Sequence, residues 1–85
     1  MIKKHTMPTI ETIDGIKILL YSNDHVPPHF HVWYGEYRAM IDIQTLKIIK
    51  GELPNKALSK VIEWAENNQA DLLENFYELN PHLRK

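Results

Sequence analysis

Apolar residues follow two rhythms along this chain, and the change comes near Gly51. Before it they alternate with polar residues, the period of a strand whose side chains point to opposite faces in turn. After it they recur every three or four residues, the period of an amphipathic helix. The alternating half divides at turn signals. Ile10 to Ile13 and Ile16 to Tyr21 flank Asp14-Gly15, a pair that tolerates the positive φ angles of a type I′ hairpin turn. His29 to Tyr34 runs into Gly35-Glu36 and returns as Tyr37 to Ile43. A two-residue loop there sets the register, with Tyr34 facing Tyr37, Val32 facing Ala39 and Phe30 facing Ile41. These residues, with Ile43, form one apolar face. The opposite face carries His29, His31 and Trp33 on one strand and Arg38, Met40 and Asp42 on the other. A short strand, Leu46 to Ile49, is expected after a turn at Gln44-Thr45.

The second half reads as two helices. Pro54 and Asn55 are helix-start residues, proline for the first helical position and asparagine for the N-cap, and only one assignment can hold. Leu58, Val61, Ile62 and Ala65 lie on one stripe. Asn67-Asn68 breaks the pattern, and Asn68 with Asp71 resembles a capping box. Leu72, Leu73, Phe76 and Leu79 make a second stripe that stops before Pro81. The two stripes are the natural cover for the apolar face. The expectation is an α+β domain with a small antiparallel sheet of three to five strands, built from two hairpins, and two C-terminal helices packed on one face. The histidine face is then left open or used to bind something. Residues 7–85 form a single domain in this reading, and residues 1–6 are an N-terminal extension, because Met7 opens a second plausible start, MPTI.

Composition narrows the function classes. The 85 residues suit one modest core, and 25% are charged, with a formal net charge of -1. That is no basic footprint for non-specific nucleic-acid binding. With no cysteine, disulfides and thiolate metal sites are excluded. No apolar run approaches the roughly 20 residues that span a bilayer. The N-terminus lacks the apolar stretch of a secretory signal, so no membrane partner and a cytoplasmic location are expected. Lys47, Lys50, Lys56 and Lys60 read as a solvated face, Trp64 as the edge of the core, and His5 and His82 as inert.

Chemistry concentrates in Asp24-His25-Val26-Pro27-Pro28-His29-Phe30-His31-Val32-Trp33, which holds three of the five histidines. His29 and His31 share one strand face, and the register puts His29 opposite Asp42 at hydrogen-bonding reach. Two prolines stiffen the loop that carries Asp24 and His25. Three uses are open. The first is a zinc or iron site with His25, His29, His31 and Asp42 as ligands. The second is metal-free acid–base catalysis by His29, His31, Asp42 and Arg38, which suits RNA cleavage through its own 2′-hydroxyl. The third is a polar-aromatic binding surface for a protein partner or a second copy, with Asp24, His25, Trp33 and Tyr34 as contacts. Trp33 beside Tyr34 can also stack bases, although packing is the commoner use of a sheet aromatic. Histidine-triad nucleotide hydrolases alternate three histidines along a strand, but here Trp33 takes the third place, so that match is rejected.

The stretch from Gly15 to Tyr37, with its DHxPPHFHVxYGEY core, resembles the signature of a family of small bacterial and archaeal proteins catalogued as domain of unknown function 4160. The resemblance runs from Met7 through Gly51-Glu52-Leu53-Pro54 and the Val61-Ile62-Glu63-Trp64 helix to Phe76. It implies one component of a toxin–antitoxin-like two-gene module, a protein partner encoded by a neighbouring gene, and an RNase-like activity. The family supplies no catalytic residues to carry over.

Overall fold

The structure is a computed structural model that describes residues 9–22 and 24–84. The start of the domain, expected at Met7, lies outside the described residues. Five strands, β1 (Thr9–Ile13), β2 (Ile16–Leu19), β3 (His29–Tyr34), β4 (Tyr37–Asp42) and β5 (Ile48–Gly51), form one antiparallel sheet in sequence order. Helices α1 (Asn55–Glu66) and α2 (Gln69–Leu79) follow, with a short 3-10 turn at Pro81–Leu83. This is the expected α+β architecture. No helix among the described residues is long and apolar enough to cross a membrane.

Turn chemistry explains the sheet. Asp14 and Gly15 both have positive φ, as a type I′ turn requires. At the second hairpin Gly35 alone is positive, the type II′ pattern. The two-residue loop sets the register as the alternation predicts. His29 pairs with Asp42, His31 with Met40, Trp33 with Arg38, and Phe30 with Ile41. Gly51, with φ +84°, closes β5, and a Cβ there would collide with the Arg38 carbonyl oxygen, so only glycine fits.

Apolar residues from both halves meet as expected. Ile16, Ile18, Leu20, Phe30, Val32, Ala39, Ile41 and Ile43 from the sheet pack on Ala57, Val61 and Ala65 of α1 and on Leu72 and Phe76 of α2. Burying each of the Val, Leu, Ile and Phe side chains among them contributes roughly 1.5–3 kcal/mol.

Several element ends differ from the periodic reading. β2 stops at Leu19, and the Tyr21 carbonyl accepts a hydrogen bond from the Asn80 side chain. β5 starts at Ile48 because Leu46 still turns, with φ +61°. Pro54 is the N-cap of α1 and Asn55 its first residue, the reverse of both assignments considered. The capping box at Asn68 does not form. Instead Asn67 and Asn68 donate back to the Glu63 and Trp64 carbonyls at the end of α1. Tyr37, expected on the apolar face, is 41% exposed.

Candidate metal centre

The loop between β2 and β3 folds back over the end of the sheet, and Asn80 holds it there. Asn80 sits at the C-terminal end of α2 and is fully buried. Its Oδ1 accepts from Asp24 N at 2.7 Å, and its Nδ2 donates to Tyr21 O and Phe76 O. Each of these buried amide atoms thereby has a partner. With its backbone anchored, Asp24 turns its carboxylate into the sheet's histidines.

Three imidazoles meet that carboxylate. Oδ2 lies 3.0 Å from His29 Nε2 and 3.2 Å from His31 Nε2, while Oδ1 lies 3.0 Å from His25 Nδ1. The ligand atoms of Asp24, His29 and His31 lie within 4.8 Å of one another. The three residues differ in exposure. His29, expected on an open face, is 1% exposed and packs its ring 5.8 Å from that of Phe76. It is the first residue of β3, where α2 and the Asp24 loop close over the sheet. The His31 side chain is 20% exposed and that of Asp24 12%. His25 is largely in solvent, on the other carboxylate oxygen, with its ring edge-on to that of His29 at 5.7 Å.

The tautomer of His29 is set by its surroundings. Its Nδ1 lies 2.7 Å from Pro27 O, an atom that only accepts, so Nδ1 carries the hydrogen. In neutral His29 the lone pair is therefore on Nε2. That atom makes no hydrogen bond, although Asp24 Oδ2 is 3.0 Å away. The distance is that of a hydrogen bond and the direction is not. A buried nitrogen without a hydrogen thus lies 3.0 Å from a carboxylate oxygen, off the line of a hydrogen bond. Metal-ligating histidines characteristically donate their second ring nitrogen to a carbonyl in this way, which orients the ligating nitrogen.

His31 differs from His29 in its setting. Burial pushes its pKa below the ordinary histidine value, the hydrogen bond to the Asp24 carboxylate opposes that, and His29 adds to the lowering. The net effect keeps its imidazole neutral, the form that ligates, to lower pH. Tyr21 meets the His31 ring edge-on at 4.4 Å. Burial and the Asp24 charge both raise the Tyr21 pKa, so its phenol stays protonated beside the carboxylate.

The remaining expected site residues lie elsewhere. Asp42 pairs with His29 in the strand register, yet its Oδ1 accepts from Gln44 N and Thr45 N. It shapes the β4–β5 turn, and Asp24 takes the place beside the histidines that the register suggested for Asp42. Arg38 lies over the Trp33 ring at 4.6 Å, with Nη1 donating to Gly35 O and Tyr37 O. Tyr34 stacks on Tyr37 and packs against the core. Asn80, Tyr21 and Phe76 were not foreseen as site residues. A weak signal exists for Tyr21, which continues the alternation of Lys17 and Leu19 towards the His31 face. None exists for Asn80, whose partner Asp24 is 56 residues away in sequence.

Searches of curated proteins and of solved structures each returned no match. The sequence profile of one family matches residues 15–77, a segment that includes Asp24, both strand histidines and α2 through Phe76. The chain therefore belongs to the family described as Domain of unknown function (DUF4160).

Proposed function

We propose that this protein is a metalloprotein in which Asp24, His29 and His31 hold one divalent first-row metal ion, zinc or iron(II). The observation that carries the reading is the buried Nε2 of His29, which has no hydrogen-bond partner and lies 3.0 Å from the Asp24 carboxylate. Lone pair against carboxylate is repulsive unless a cation lies between them. The spacing suits an ion. Two atoms each about 2.1 Å from a metal and 3.0 Å from one another subtend about 90° at it. Two histidines and one carboxylate on one side of an ion make a facial set that leaves the other positions open. An ion held this way supplies Lewis acidity to a bound substrate. The chain's own part is orientation: Pro27 O fixes His29, Asn80 fixes Asp24, and Tyr21 backs His31.

The test is metal content and coordination. Purified, tag-free protein equilibrated with zinc, iron(II) or cobalt(II) is expected to retain one ion per chain against a weak chelator. The cobalt form is expected to show ligand-field bands that vanish in His29→Ala and in His31→Ala. Absence of stoichiometric uptake with all three metals contradicts the reading.

Metal-free histidine catalysis is the second reading, favoured by the hydrogen bond between His31 and Asp24 at 3.2 Å. In the toxin–antitoxin-like role that the family resemblance implies, it would cleave RNA through the 2′-hydroxyl. It predicts growth arrest on expression, lost in His31→Ala, and RNA cleavage that survives exhaustive chelation. Cleavage abolished by chelation and restored by metal returns the argument to the first reading.

A further inference from the structure

The open face of the sheet carries a groove of about 320 Å³ beside the candidate metal centre, lined by His31, Trp33, Arg38, Met40 and Lys50 among others. That size falls at the lower end of the range for small-molecule sites, on the order of 300–1,000 Å³. His31 belongs to both features: its Nε2 meets Asp24, and its ring lines the groove. Strand pairing explains the rest of the lining. Met40 lies between His31 and Lys50, and Trp33 between Lys17 and Arg38.

The lining has a definite chemistry. The Arg38 guanidinium lies over the indole of Trp33 and is held there by the Gly35 and Tyr37 carbonyls. That makes a flat, cationic, pre-organised platform. Lys50 adds a second positive charge, and Lys17 stands beside Trp33 on the next strand. Among the described residues that line the groove, none is acidic. Glu36 and Glu52 line a neighbouring depression that shares Arg38. The chain as a whole carries a net charge of -1, so this face departs from the rest of the molecule.

We infer that the groove binds a phosphorylated nucleoside unit, its base against the Trp33–Arg38 platform and its phosphate between Lys50 and the His31 end. Residues two apart on a strand are separated by about 7 Å, the scale of one nucleotide from base to phosphate. A base stacks on an aromatic ring or a guanidinium plane, and the phosphate takes the charge. The placement of the phosphate next to an ion rests on the metal reading above, whereas the platform and Lys50 do not. The unit can come from a free mononucleotide or from a single-stranded nucleic acid.

The experiment is calorimetric titration of the full chain, with metal content measured on the same sample. The probes are adenosine, inorganic phosphate, adenosine 5′-monophosphate and a short single-stranded RNA. The monophosphate or the RNA is expected to bind at least about tenfold more tightly than inorganic phosphate, the loss expected for one stacked base, and more tightly than adenosine, which has the base but no charge for Lys50. Comparable binding of both assigns a free nucleotide, and binding of the RNA alone assigns a strand. Trp33→Ala and Lys50→Glu are each expected to weaken binding about tenfold or more. Lys50 is exposed, so its substitution separates binding from folding. Lys60→Ala, on α1 and paired with Asp14, is expected to change nothing. Stoichiometric metal without nucleotide binding overturns the groove and leaves the metal reading. Binding that Lys50→Glu and Trp33→Ala do not affect overturns the groove as well. Nucleotide binding at the groove in protein that takes up no metal supports the groove and overturns the metal reading.

Discussion

Asp24 and Asp42 both stand near the start of β3, one in the loop that precedes it and one opposite His29 in the register. Their carboxylates do different work. Asp42 is followed by a tight turn whose backbone N–H groups, at Gln44 and Thr45, lie 2.7 and 2.9 Å from its Oδ1. An aspartate placed so is taken up by its own turn. Asp24 has its backbone N–H tied to Asn80, and its carboxylate meets histidines on both oxygens. The lesson is that strand register decides which residues are neighbours, while local backbone donors decide which carboxylate is free to serve a site.

The sharpest way to break the comparison is at His29. Replacement by alanine removes a side chain that is 1% exposed, together with its contact to Phe76. A loss of about 2–4 kcal/mol is expected in urea unfolding, by analogy with truncation of large core side chains. His31→Ala, at a partly exposed position, is expected to cost about 1 kcal/mol or less. Metal binding should vanish in both, so a stability difference with a shared loss of metal separates core from ligand.

Asn80→Ala tests the anchor. It leaves Asp24 N, Tyr21 O and Phe76 O without their side-chain partner. Unfolding free energy is expected to fall by about 1–3 kcal/mol. Metal affinity should fall about 10–100-fold, as for other residues that orient a ligand. Unchanged affinity in a folded Asn80→Ala protein would show that Asp24 does not need that anchor. Asp42→Ala should cost about 0.5–1.5 kcal/mol in thermal unfolding, through the two turn hydrogen bonds.

The smallest effect belongs to the exposed pair Asp14–Lys60, 2.8 Å apart. Lys60 holds the Asp14 carboxyl below its usual value of 3.8. A lowered carboxyl pKa contributes stability above the unfolded value, and that contribution disappears as pH falls through the folded one. The difference in melting temperature between Lys60→Ala and the parent should therefore be slight near neutrality and absent in strong acid.

Much of the sheet was legible because its information is local. Gly35-Glu36 sets the β3–β4 register, and the switch in period near Gly51 separates sheet from helices. The helical stripes named Val61, Ala65, Leu72 and Phe76, all of which are buried. The candidate site was legible only in part. The histidines, the carboxylate type and the DHVPPHFH stretch stand out in the sequence, but periodicity says nothing of how a loop returns over a strand. The burial of His29 depends on Phe76, and the aim of Asp24 on Asn80, both contributed by a helix at the far end of the chain. Such long-range contacts leave no local pattern. At Asn67-Asn68, by contrast, the local pattern was present but belonged to the preceding helix.

The most direct measurement is the metal stoichiometry of Asp24→Asn beside Asp42→Asn, each equilibrated with zinc and iron(II) and analysed for bound metal. One ion per chain retained by Asp42→Asn and lost by Asp24→Asn is the predicted result. Equal retention by both variants, or no stoichiometric metal in the parent protein, would contradict the assignment of Asp24, His29 and His31 as a metal site.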